Sequence, residues 1–127
     1  MFTHVTVGAN DVEASRRFYD AALGALGIDP AAGPDARGRF WWRTPRGAFA
    51  IGTPLDGEPA CHANGGTLGF HAKTPEMVQA FHDAGLAAGG TAIEDPPGER
   101  NGPFGKLILA YLRDPSGNKI CAMHRVG

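Results

Sequence analysis

The sequence predicts an α+β domain built from two copies of one βαβββ unit, and three observations predict it. Shifted by 63 positions, His4–Gly27 (HVTVGANDVEASRRFYDAALGALG) falls on Thr67–Gly90 (TLGFHAKTPEMVQAFHDAGLAAGG) without a gap. Identities fall at Ala9/Ala72, Glu13/Glu76, Phe18/Phe81, Asp20/Asp83, Ala21/Ala84, Leu23/Leu86, Ala25/Ala88 and Gly27/Gly90. Each copy opens as an alternating strand that runs through a polar residue into an amphipathic helix. Each copy also closes on two apolar runs separated by a turn. Self-similarity at a fixed spacing marks a repeated supersecondary unit. With only two copies, a closed pair of modules around a shared cleft is expected rather than an open array.

Taken in order, Thr3–Val7 alternates as a strand, with Val5 and Val7 on one side and His4 and Thr6 on the other. Asn10, three residues before Glu13, predicts a helix cap with a capping-box partner. The helix that follows carries Val12, Tyr19, Leu23 and Leu26 on one stripe, with Phe18 and Ala22 beside it, and Gly27 stops it. Pro30–Gly38 reads as a loop, with room for a short strand around Ile28. Arg39–Thr44 and Ala48–Gly52 read as strands joined by Pro45-Arg46-Gly47.

Thr53–Gly66 has no periodicity and heavy turn content, which marks the connector. Module 1 thus spans about residues 1–53, the connector 54–66 and module 2 about 67–127 of a single domain. In module 2, Thr67–Ala72 is a strand, Thr74 caps a helix with Pro75 at its first position, and Val78, Phe81 and Leu86 form its buried stripe. Gly89-Gly90 ends it, Thr91–Glu94 is a short strand and Pro96–Gly105 is a loop. Lys106–Leu112 and Lys119–His124 are strands joined by Asp114-Pro115-Ser116-Gly117-Asn118, a strong turn signal.

Composition narrows the partners. A formal net charge of −1 and the lack of any basic run argue against nucleic acid or an anionic membrane surface. No stretch approaches the roughly 18 apolar residues of a membrane span, and MFTHVTVGAND lacks the pattern of a signal peptide. Cys61 and Cys121, outside any C-x-x-C motif, read as reduced thiols of a cytoplasmic protein.

H-V-T-V with N-D-V-E-A-S-R-R-F-Y-D-A-A-L-G near the N-terminus, and R-D-P-S-G-N-K-I near the C-terminus, resemble the vicinal oxygen chelate superfamily. Its members include glyoxalase I, extradiol dioxygenases and the bleomycin- and fosfomycin-resistance proteins. The resemblance covers nearly the whole chain. It implies two βαβββ modules whose curved sheets form a cup around a ligand, with the helices outside, and homodimers are common among such two-module proteins. It does not imply one reaction, because the fold hosts several.

In the metal-dependent relatives, four strands each offer one inward ligand, and such an oxygen and nitrogen set holds a divalent metal with open positions for substrate. By resemblance these positions fall on His4, Gly52, Thr67 and Cys121. Only His4 keeps a ligand-like side chain, so no metal or other cofactor is expected. Gly52 is expected to widen the cavity, and Thr67 to offer a hydroxyl. His71 stands four residues from Thr67, about 13 Å along a strand, too far to replace it.

The candidate ligand-binding residues are His4, Trp42, Thr67, Gly69, His71, Tyr111, Cys121 and Met123. Trp41 and Trp42 are adjacent, so one faces the cup and the other packs under a helix. Cys121 would act as a nucleophile only with a depressed pKa, and His4 is the one group that could supply it. Arg43, Arg100 and Lys106 could each meet a ligand carboxylate.

Two functions follow. The first is a glyoxalase/bleomycin-resistance-like homodimer that binds a small organic molecule in a metal-poor cup. The alternative is a lactoylglutathione-lyase-like or dioxygenase-like enzyme with an altered divalent-metal site, with His4 and Cys121 as its catalytic candidates. Val5, Val7, Phe18, Tyr19, Leu23, Leu68, Phe70, Phe81 and Leu86 are the expected core. Replacing Phe81 with Ala should cost about 3–5 kcal/mol in a denaturant titration, and a loss below ~1 kcal/mol would show the stripe to be misassigned.

Overall fold

Two capped helices repeat the sequence pattern in space. The structure, a computed structural model, describes residues 1–103 and 105–127. Its elements are β1 (His4–Gly8), α1 (Val12–Gly24), β2 (Phe40–Thr44), β3 (Gly47–Gly52) and β4 (Leu68–His71). They continue with α2 (Pro75–Ala87), β5 (Thr91–Ala92), β6 (Gly98–Gly102), β7 (Gly105–Arg113) and β8 (Lys119–Arg125). Asp11, not Asn10, caps α1 by accepting from the Ala14 amide at 2.9 Å. Thr74 caps α2 through the Met77 amide at 3.2 Å, with Pro75 in the first turn. Asp11 and Thr74 are related by the same 63-residue shift, so the repeat holds at the caps. Asn10 is used elsewhere: its amide group clasps the backbone of Ala60 from both sides and pins the connector.

The strands form two sheets. The first has the order β1-β3-β2, with β1 parallel to β3 and β2 antiparallel to it. The second runs β4-β8-β7-β5, with β6 also paired to β7. The strand expected near Ile28 is reduced to one bridge between Ala32 and Trp41. Pro96–Gly105, read from its glycines and prolines as a loop, instead contains β6, which pairs with β7 from Gly98↔Leu109 to Gly102↔Gly105; residue 104 lies outside the described residues. Backbone hydrogen bonding to β7 overrides the turn propensity of that stretch.

Each helix covers one face of its sheet and leaves the other face free, and the two helices pack on each other. One apolar core joins everything on the covered side: Phe18, Tyr19 and Leu23 of α1, Trp42, Phe49 and Ile51 of the first sheet, and Phe81, Leu112 and Ile120 of the second half. Edge-to-face contact between Phe49 and Phe70, 5.4 Å between centroids, joins the two sheets directly. Gly85 permits the helices to close: a Cβ there would stand 2.4 Å from Leu112 Cδ1 and 3.2 Å from Phe18. Val5, Val7, Leu68 and Phe70 pack partly buried against this core. Leu86, expected in it, is 40% exposed, because the helical face that meets the sheet is centred on Val78, Phe81, His82 and Gly85.

The turn after β7 locks the halves together. Asp114 is buried, and its carboxylate accepts from Tyr19 Oη at 2.6 Å, Ser116 N at 2.8 Å, Asn118 N at 3.0 Å and Asn118 Nδ2 at 2.9 Å. Asn118 Nδ2 also donates to the Gly8 carbonyl at 2.9 Å, and Ser116 Oγ accepts from Asn10 N at 2.9 Å. Gly117 adopts φ +92°, a conformation glycine takes without the Cβ penalty. Burial, and then the nearby Asp114 carboxylate, push the Tyr19 phenol well above its ordinary pKa, so it remains a donor. Tyr19→Phe should cost about 1.5–3 kcal/mol in urea unfolding, the range for a hydrogen bond to a charged group. A loss within ~0.5 kcal/mol would show that Asp114 holds the turn without α1.

Candidate functional site

Strand alternation puts a regular grid of residues on the helix-free face of the first sheet. The register sets His4 beside Ala48 and Arg43, Thr6 beside Ala50 and Trp41, and Gly8 beside Gly52 at the far end. The central strand therefore offers only small side chains, and its neighbours lean over it. Ala50 is fully buried beneath them. Trp41 carries the Arg39 guanidinium 5.1 Å and the Arg43 guanidinium 4.9 Å from its ring centroid, and the His4 ring lies 5.9 Å away. Asp35 fixes this group, accepting from Trp41 Nε1 and Arg39 Nε, both at 2.8 Å, and from the Arg37 and Arg39 amides at 2.9 Å. Those bonds, led by the indole N–H, hold the Asp35 carboxyl well below the usual carboxylate range.

The helix-free face of the second sheet is apolar at its centre and basic at its ends, where the same alternation places Arg113, Lys119 and Arg125. Alternation along β7 and β8 gives it Leu107, Leu109, Tyr111, Cys121 and Met123, with Tyr111 paired to Cys121 and Leu109 to Met123. Gly69 and His71 of β4 extend it, in register with Cys121 and Met123. A Cβ on Gly69 would touch only Cys121 Sγ, at 3.4 Å, so this part of the face is open. Lys119 reaches over the Tyr111 ring, 5.0 Å from its centroid, and pairs with Glu94.

The expected site residues are thus divided between two faces. His4 stands on the first sheet, and Gly69, His71, Tyr111, Cys121 and Met123 on the second, with Thr67 just before β4. His4, Gly69 and His71 meet only along one cleft of about 700 Å³ between the β2–β3 turn and β4. Trp42 does not line an open face. It is 2% exposed, reaches that cleft with what little surface it has, packs against Tyr19 and Phe49, and donates its Nε1 to Asp20 at 3.0 Å. Trp41 takes the open position instead, because Trp42 shares the parity of the core residue Phe40. Gly52 lines a second cleft, of about 490 Å³, with Thr6 and Arg39, and not the one that His4 borders. The register places it four residues from His4's neighbour Ala48, about 13 Å along the strand. A Cβ there would stand 2.6 Å from Arg39 Cγ, so the space belongs to the arginine stem.

These donors do not fit a divalent metal: of the four positions only His4 carries an imidazole or a carboxylate, glycine offers nothing at position 52, and among the described residues of one chain no three His, Cys, Asp or Glu side chains stand close enough to share an ion. Cys121 is also poorly suited to nucleophilic attack: burial pushes its thiol up to about 11, against the smaller opposing effect of Lys119. Cys61 is exposed, and both cysteines are free. A thiol-specific disulfide reagent at neutral pH should therefore label Cys61 rapidly and Cys121 only on unfolding. Equal rates for both thiols would show Cys121 to be open and ionisable.

Comparison with known proteins accords with this architecture. A family model described as a glyoxalase-like domain matches residues 4–123. The crystal structure of a glyoxalase/bleomycin resistance protein from Albidiferax ferrireducens T118 is 59% identical, with a TM-score of 0.94 over 98% of this chain and 99% of that one. A glyoxalase/bleomycin resistance protein/dioxygenase family enzyme from Burkholderia phytofirmans PsJN is similar in fold, at 18% identity, TM-score 0.70 and 95% coverage of each chain. So is a lactoylglutathione lyase from Agrobacterium tumefaciens, at 17% identity and TM-score 0.66 over 97% of this chain and 92% of that one. No curated protein matches the sequence. The repeat, the Asp114 turn and the family match over nearly all of the chain agree, and the chain belongs to the glyoxalase-like family of the vicinal oxygen chelate superfamily.

Proposed function

We propose that this protein is a homodimeric small-molecule binder whose ligand lies on the helix-free sheet faces, without a bound metal. One observation carries the reading: the helix-free face of the second sheet is apolar where water would favour alternating polar side chains. An antiparallel sheet with one solvated face normally shows hydrophobic residues inside and polar ones outside. Here Leu107, Tyr111 and Met123 are half-buried on a face that no helix covers, around the buried Leu109 and Cys121. An apolar surface of this kind, rimmed by Lys119 and Arg113, suits a ligand, a second copy of the chain, or both.

The second copy closes the cup. β1 and β4 each pair on one side only, so each presents an unpaired edge that association would cover. The first sheet of one protomer, with His4 and Trp41, then faces the second sheet of the other, with Gly69, Tyr111 and Met123. The missing donors at positions 52 and 67 and the protonated Cys121 thiol favour binding over Lewis-acid catalysis.

Two measurements test this. Sedimentation should give a dimer at tens of micromolar, and a clean monomer would count against the closed cup. Saturation-transfer NMR with a panel of one- and two-ring aromatic molecules should find ligands whose binding weakens at least ~10-fold, or ~1.4 kcal/mol, in Gly69→Trp. That variant projects into open space, so its melting temperature should stay close to the parent's. Ligands unaffected by Gly69→Trp would place binding elsewhere and overturn the reading.

A further inference from the structure

The geometry points to a ligand class: we infer that the helix-free face of β1-β3-β2 takes a planar organic carboxylate, its ring packed against the exposed part of Trp41 and its carboxylate held by Arg43. The inference rests on the small-molecule reading above and adds charge to it. Trp41 and Arg43 lie at alternate positions of the edge strand β2 and share a face, and Arg39 stands just before the strand with its guanidinium over the same indole. Both guanidiniums lie within about 5 Å of the indole centroid, at 5.1 and 4.9 Å. Such stacking leaves a guanidinium's in-plane N–H groups free for a carboxylate.

The two arginines are not equivalent. Arg39 is spent in part, since its Nε donates to Asp35 at 2.8 Å in an ion pair. Arg43 has no acidic group within ion-pairing distance and no side-chain hydrogen bond among the described residues, and it is exposed. Arg37 and Arg46 add positive charge at the two ends of the same sheet, where Asp56 and Asp29 also stand, and among the described residues Asp35 is the one carboxylate bonded to the platform. Edge-strand arginines also discourage strand pairing. That role does not require the indole to be tethered through Nε1 to a carboxylate, which fixes the half-exposed ring in place beside Arg43. A fixed aromatic plane beside an uncompensated guanidinium is complementary to a flat ring that bears a carboxylate.

The test follows the indole N–H signal of Trp41 by NMR, assigned with Trp41→Phe, during titration with 2-naphthoate, its neutral amide 2-naphthamide, and inorganic phosphate. Naphthoate should bind at least ~10-fold more tightly than the amide and weaken as salt rises. Arg43→Gln should bring naphthoate down to the level of the amide while leaving the amide unchanged, and Arg43→Lys should recover part of the difference. Phosphate should compete weakly. Equal binding of naphthoate and amide, unaltered by Arg43→Gln, would overturn the charge assignment while the small-molecule reading stands. Phosphate as strong as naphthoate would overturn it in favour of a plain anion site. Failure of naphthoate to bind at millimolar concentration would overturn it as well. The broader reading would fall with it only if the neutral aromatics of the panel also left the Gly69 face unperturbed.

Discussion

The fold depends on one buried carboxylate. Asp114 is buried, yet its carboxylate accepts four hydrogen bonds, three from Ser116 and Asn118 of its own turn and one from the α1 phenol. A buried charge is tolerable only when its lone pairs are satisfied in this way. The same turn reaches β1 through Asn118 and Gly8, and the start of α1 through Ser116 and Asn10. Covalently distant halves are thereby held in one arrangement, with Phe49 against Phe70 and Phe18 against Gly85. That arrangement determines which sheet faces the helices cover and which they leave free.

The two uncovered faces differ in chemistry. The first is cationic and aromatic, organised by Asp35 around Trp41. The second is apolar at its centre and basic at its ends, with a thiol whose burial keeps it protonated. Three of the four positions that would chelate a metal carry glycine, threonine and cysteine in place of imidazole or carboxylate. Brought together by a second copy, the faces would supply stacking and charge from one side and apolar cover from the other. A pocket with a few placed polar groups and mostly apolar walls is the usual design for binding small molecules.

Much of this is legible along the chain, since it rests on local rules. The strand–helix openings, the caps within one residue, the D-P-S-G-N turn and the apolar stripes come from periodicity and turn chemistry, which act between near neighbours. Alternation alone places Arg39, Trp41 and Arg43 together, and likewise Tyr111 with Leu107 and Leu109. Where reading failed, a long-range contact had intervened. Asn10 left the cap because Ala60 engages its amide, and Asp11 took over. Gly98–Gly102 became a strand because β7 was long enough to pair with it.

The sequence by itself determined the repeated α+β plan, the family and the residues that share each strand face, because a period of two or 3.6 residues is a property of the backbone. Only the tertiary structure decided which face is which. Trp42 went inward because Asp20, Tyr19 and Phe49 surround it, and Trp41 was left outside with its arginines. Gly52 was separated from His4 by the register of β1 against β3, which no single strand encodes. Leu86 stayed at the surface because the α2 face that met the sheet was set by Gly85 and Phe81 packing against Phe18 and Leu112. Pairing register and helix rotation arise from contacts between distant segments, and local pattern is silent about both.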